Sequence, residues 1–110
     1  MSGILLVTDD TFEDEVIHSR LPVVVDFYAD WSLPSRAAEV SLESLSASLT
    51  GRVKFAKVNV NDSTSVANSF GIHTIPTYVF LDEGREKGRE VGIVGPRELR
   101  SILQKHFSFE

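Results

Sequence analysis

Two serines three positions apart, Ser32 and Ser35, stand in the stretch Trp31-Ser32-Leu33-Pro34-Ser35, just after an apolar run that carries one carboxylate, Asp26. A serine hydroxyl becomes a nucleophile when a base lies within hydrogen-bond reach. A serine ahead of a helix is instead an N-cap, whose oxygen accepts an otherwise unpaired backbone N–H. A carboxylate inside an apolar strand is costly to bury and has its proton affinity displaced. The nucleophile lacks a base here. Ser-x-x-Ser does not carry the lysine of Ser-x-x-Lys enzymes, and no histidine is near in sequence. His18, His73 and His106 have no metal-ligand spacing and read as surface residues. Ser32 therefore reads as the cap of a helix, and Ser35 as a small residue packed in its first turn.

Composition narrows the chemistry further. The chain of 110 residues has no cysteine, so it can form no disulfide, no catalytic thiolate and no cysteine-ligated metal site. Its 11 basic and 16 acidic residues leave a net charge of −5, against nucleic acid or an anionic membrane as the main partner. The opening MSGILLVTDD lacks the basic start and long apolar run of a secretory signal. The expectation is one soluble, cytoplasmic domain over residues 1–110.

The elements that must hold Ser32, Ser35 and Asp26 alternate in type. Residues 4–8 read as a short strand. Asp9 or Asp10 can cap a helix through about residue 19, with Phe12, Val16 and Ile17 inward. Residues 22–29, rich in β-branched side chains and nearly continuously apolar, read as a central strand covered on both faces. A helix follows over about 34–50, since proline suits a first turn; Ala38, Leu42, Leu45 and Leu49 form its stripe and Gly51 its stop. Residues 53–60 read as a strand, 63–70 as a short helix, 76–82 and 86–94 as a hairpin about Glu83-Gly84. Pro96 opens a last helix with Leu99, Ile102 and Leu103 inward. The order β-α-β-α-β-α-β-β-α predicts an α/β fold, a mixed sheet with helices on both faces. The acidic clusters at 11–15 and 81–90 read as solvated faces and turns.

That order, with VVVDFYADWSLPSR, KVNVND, GIHTIPTYVFLDEG and VGIVG, resembles thioredoxin over essentially the whole chain. The resemblance implies the thioredoxin fold, a central mixed five-stranded sheet flanked by four helices. It also implies protein-disulfide reduction as the parent activity. Thioredoxins carry Trp-Cys-Gly-Pro-Cys where this chain has Trp31 to Ser35, so Ser32 and Ser35 stand at the nucleophilic and resolving positions. In the family the first cysteine is a thiolate held by the helix N-terminus, and the second resolves the mixed disulfide. Serine does neither. Leu33 replaces the usual glycine. Val40 replaces a helix-kinking proline, which predicts a straighter helix. Asp26 matches the buried acid that moves the second cysteine's proton, and Lys57 matches the lysine that can pair with it.

From its residues alone Pro76 is a trans proline in a turn; the resemblance makes it cis and places it facing the serine pair. Trp31, Leu33, Pro34, Ile75, Pro76 and Gly92 then correspond to the rim of a groove that takes an extended polypeptide by strand addition. A monomer with no bound cofactor and no metal is implied. For a cysteine-containing parent, electrons come from a separate flavin-dependent thioredoxin reductase that uses NADPH. Two readings follow. One is a cysteine-to-serine form of a working thioredoxin. The other is a thioredoxin-like adaptor or chaperone-like module that binds partners without redox chemistry.

Overall fold

The central strand owes its place to alternation within an almost wholly apolar run. In a computed structural model that describes residues 3–107, β2 (Val23–Tyr28) turns Val23, Val25 and Phe27 to one face of the sheet and Val24 and Asp26 to the other. All five of these side chains are buried, which requires cover on both sides. The sheet runs β1 (Ile4–Leu6), β3 (Lys54–Asn59), β2, β4 (Thr77–Asp82), β5 (Arg85–Val91). The β1, β3 and β2 strands are parallel; β4 and β5 are antiparallel to their neighbours. This is the mixed five-stranded α/β sheet expected from the sequence.

On one face lie α1 (Leu33–Ser48) and α3 (Pro96–His106). Ala38, Leu42, Leu45 and Leu49 from the first and Leu99 and Leu103 from the second close over Val24, Phe55 and Phe80. The other face is covered by Val7, Phe12, Val16 and the short α2 (Thr64–Ser69), against Val25, Phe27, Val58 and Val79. α1 continues without a break past Val40, as expected without a proline there, and Val40 is exposed. The outer strand β5 presents Arg85, Glu86, Lys87 and Arg89 to solvent, charges that discourage further pairing at the edge. The β4–β5 turn has both Glu83 (φ 55°) and Gly84 (φ 76°) in the left-handed region, the two-residue geometry that matches strand twist.

One element departs from the sequence reading. Residues 9–19 do not form an α-helix capped by Asp9 or Asp10. A turn at Thr8–Thr11 leads into a single π-helical turn, Glu13–Ile17. Asp9 caps a different helix: its carboxylate oxygens accept the backbone N–H groups of Ser65 (3.2 Å) and Val66 (2.9 Å) at the start of α2. Phe12 and Val16 are buried and Ile17 packs against them, as the sequence predicts, but the His18 N–H reaches Glu13 O, five residues back, which makes the turn π-helical.

Candidate functional site

The site lies where β2 runs into α1. Ser32 is the N-cap of α1, with extended backbone (φ −92°, ψ 117°), and its Oγ accepts the Ser35 backbone N–H at 3.2 Å. Pro34 occupies the first turn, where no intrahelical partner is lost. Ser32 and Ser35 are both buried, whereas Trp31 and Leu33 on either side of Ser32 are 71% and 72% exposed. The apolar side chains of this segment face solvent and its hydroxyls face the protein, an inversion of normal burial.

At the same end of the sheet, where Phe27 pairs with Thr77, the Ile75–Pro76 peptide is cis. The Pro76 carbonyl accepts the Gly92 N–H at 2.8 Å, and Gly92 sits at φ 95°, a conformation that favours glycine. Thus Pro76 and Gly92, 16 residues apart, are joined directly. Val91 and Ile93, each 56% exposed, flank Gly92 and add apolar surface beside it.

On the face of the sheet that α1 covers, one row of side chains crosses all five strands. Leu6, Lys57, Asp26, Tyr78 and Glu90 are register partners on β1, β3, β2, β4 and β5, so they project to the same face. Asp26 is 1% exposed and its Oδ1 has no hydrogen-bond partner. The Ser35 Oγ and Tyr78 Oη are buried and unpartnered as well, and among the described residues these are the three such side-chain atoms. Burial first, then the Glu39 charge, raise the Asp26 carboxyl from 3.8 to about 7 against the opposing charge of Lys57. Burial, with the Asp26 charge, likewise pushes up the Tyr78 phenol.

Lys57 does not form the pair with Asp26 that the resemblance implies. Its Nζ donates to Glu39 Oε2 at 3.2 Å and lies 5.5 Å from the centre of the Tyr28 ring. The cation has a competing acceptor on α1, and both partners keep part of their surface in water (24% and 31% side-chain exposure), which avoids the full cost of desolvating a charge. Burial alone would lower the lysine's pKa; the Glu39 bond and charge, with Tyr28 and Asp26, outweigh that and raise it.

Glu39 and Tyr78 were missed in the sequence. Glu39 carried a signal, being four residues after Ser35 and so one helical turn further along the same face of α1. Tyr78 is two residues past Pro76 within an apolar strand, and only the register sets it beside Asp26. The histidines are exposed, as expected. His106 nonetheless stacks on Phe80 with ring centres 5.4 Å apart. Among the described residues, no group of three His, Cys, Asp or Glu side chains gathers to hold a metal ion, and no helix is long and apolar enough to cross a membrane.

A family model, Thioredoxin, matches residues 3–105, a span that holds the N-capped helix start, the cis proline and the buried acid. The chain belongs to the thioredoxin family. It is 37% identical over 106 residues to thioredoxin 1 of Nostoc sp., covering 96% of this chain and 99% of that protein. Thioredoxin 1 of Synechococcus elongatus is 38% identical over the same shares. Thioredoxin of Haemophilus influenzae is 31% identical, again over 96% and 99%. The family's parent activity is disulfide reduction. This thioredoxin-family chain has no cysteine with which to perform it. Neither serine offers a substitute. The Ser32 Oγ is engaged with a backbone N–H, the Ser35 Oγ has no partner, and no histidine or lysine is bonded to either among the described residues. Nothing activates a serine nucleophile here.

Proposed function

We propose that this chain is the redox-silent form of a thioredoxin site, with protein-disulfide reduction as the activity of its cysteine-bearing parent. The observation that carries the reading is the Ser32 cap. Residue 32 holds the N-terminal position of α1, where backbone N–H groups and the positive helix end favour an anion. Residue 35 lies within the same turn, its hydroxyl buried and unpartnered like the Asp26 Oδ1. Those positions suit a thiolate and its resolving thiol, with Asp26 as proton acceptor and Lys57 as the neighbouring cation. Serine hydroxyls at neutral pH stay protonated and form no stable oxygen counterpart of a disulfide. Trp31, Leu33, Pro34, Ile75, Pro76 and Gly92 form the rim on which an extended polypeptide adds. A thioredoxin reductase is the partner of the parent form only.

The test is insulin-disulfide reduction driven by dithiothreitol. The chain as it stands gives only the background rate. Ser32→Cys/Ser35→Cys gives turnover above it, together with a protein disulfide that dithiothreitol reduces. A double-cysteine variant that remains a free dithiol under mild oxidation, with no turnover, would overturn the reading.

A second reading, a partner-binding module that never needed thiols, is favoured by the exposed rim, since Trp31 and Leu33 are each more than two-thirds exposed. Trp31 is the only tryptophan of the chain, so its emission reports occupancy of the rim. A blue shift on titration with a carboxymethylated unfolded polypeptide, lost in Leu33→Glu, supports this reading; unchanged emission at saturating peptide removes it.

A further inference from the structure

The Glu39–Lys57 pair is the feature that the parent chemistry leaves unexplained. Lys57 is the direct register partner of Asp26 on the adjacent parallel strand. Neighbouring strands lie ~4.8 Å apart, and a lysine stem of four methylenes spans that distance with ease. A buried carboxylate with a free oxygen beside a mobile ammonium is a strong pairing site. Yet the ammonium lies instead 3.2 Å from Glu39 on α1, and the Asp26 Oδ1 keeps no partner.

We propose that Glu39 is a positioning residue for the acid of the site: by holding the Lys57 ammonium against α1 it withholds from Asp26 its natural counter-ion, and so sets the pH at which Asp26 exchanges its proton. The charged and titratable groups that face Asp26 are few. Lys57 comes from β3, Tyr78 from β4 with Glu90 beyond it on β5, Glu39 from α1, and Tyr28 from β2 itself. α3 turns Leu99 and Leu103 toward this side, and the charges that act on Asp26 are those of Glu39 and Lys57. Of these groups, Lys57 is the only cation, so the anion that captures it controls the balance. Tyr78 sits too deep to compete for the ammonium, and Glu90 is separated from it by two strands. With cysteine at residue 35, the same arrangement would decide the pH at which Asp26 can accept the resolving thiol's proton.

The experiment is an NMR titration of the Asp26 side-chain carboxyl in the chain as it stands, in Glu39→Gln, in Lys57→Met and in the double variant. Glu39→Gln frees the ammonium for Asp26, and the midpoint falls by about one pH unit, a tenfold loss of proton affinity. In the Lys57→Met background the same Glu39→Gln change moves the midpoint by less than half as much, because the released cation is gone. Glu43→Gln, an exposed acidic change one turn further along α1, leaves it in place. An unmoved or raised midpoint in Glu39→Gln overturns the proposal. So does an equal fall in both backgrounds, which would make Glu39 a plain through-space charge and not a holder of Lys57. The readout is independent of thiol chemistry, so the proposal and the reading of the parent activity fail separately.

Discussion

The two faces of the sheet are built to different standards. The face covered by the π-helical turn and α2 is closed: Val23, Val25, Phe27, Val58, Val79 and Leu81 pack there, and the buried Thr77 beside Phe27 has its hydroxyl bonded to the Thr74 carbonyl. The face under α1 is equally apolar at one end, where Val24, Phe55 and Phe80 meet Leu42 and Leu103. At its other end it buries Asp26, Ser35 and Tyr78, each with an oxygen that has no partner. Burying polar groups unpaired is a cost that folding elsewhere must offset. The contrast teaches where stability was given up, and it is at the end of the sheet that carries the helix cap and the cis proline.

Substitutions on the two faces should therefore act in opposite directions. The largest effect is expected on the closed face. Phe27→Ala deletes a fully buried ring packed 5.7 Å from Phe70, centre to centre, and should lose about 3–5 kcal/mol in urea unfolding. A loss below 1 kcal/mol would show that this face is loosely packed and the contrast unfounded.

Next comes Asp26→Asn, with the opposite sign. The folded carboxyl titrates near 7 and the unfolded one near 3.8, so between those values the folded state holds more protons than the unfolded state. Stability from this group is full below the unfolded value, falls as pH rises through the window and is lost above about 7. Asn cannot ionise and escapes that loss. Urea unfolding at pH 8 should find Asp26→Asn more stable by roughly 1–3 kcal/mol, and the advantage should vanish at pH 3. A less stable Asn variant at pH 8 would mean that the carboxylate is well paired in solution.

The two serines should separate by sign. Ser32→Ala removes a cap and costs about 1 kcal/mol. Ser35→Ala removes an unpartnered hydroxyl and improves helix propensity, for a gain of up to about 1 kcal/mol. Equal losses in thermal unfolding would show the two hydroxyls to be equally bonded. The smallest change is expected from Tyr78→Phe, which keeps the ring and deletes the orphan Oη: within about 1 kcal/mol of the parent, on the stabilising side. A clear loss in urea unfolding would reveal a partner for that hydroxyl.

Much of this was legible in the chain. The β-branched run 22–29, Pro34 in a first turn, the Ala38–Leu42–Leu45–Leu49 stripe and the Glu83-Gly84 turn each record a local constraint. Such constraints set a residue's own backbone and the side of its element that is buried. They sufficed for the order of the five strands and three α-helices, for the mixed sheet and for Ser32 as a cap, and failed at the π-helical turn 13–17. The resemblance carried by residues 31–35 and 75–77 supplied the family, and with it the cis peptide, which the residues alone argue against.

What the sequence determined by itself is which positions are apolar and which turns the backbone takes, because those preferences act over a few residues and are worth a kilocalorie or more each. Which charges meet was decided only by the tertiary structure. The resemblance pairs Lys57 with Asp26, but in the fold the Lys57 ammonium bonds Glu39, 18 residues earlier on α1. Asp9 was assigned to the nearest helix in sequence and instead caps one that starts 55 residues later. Tyr78 joined Asp26 through strand register. Pairings of this kind depend on crossing angle and register, and a half-exposed ion pair contributes only about 0–1 kcal/mol. That is too little to shape the residue pattern around it, and so only the folded arrangement shows which carboxylate holds the lysine.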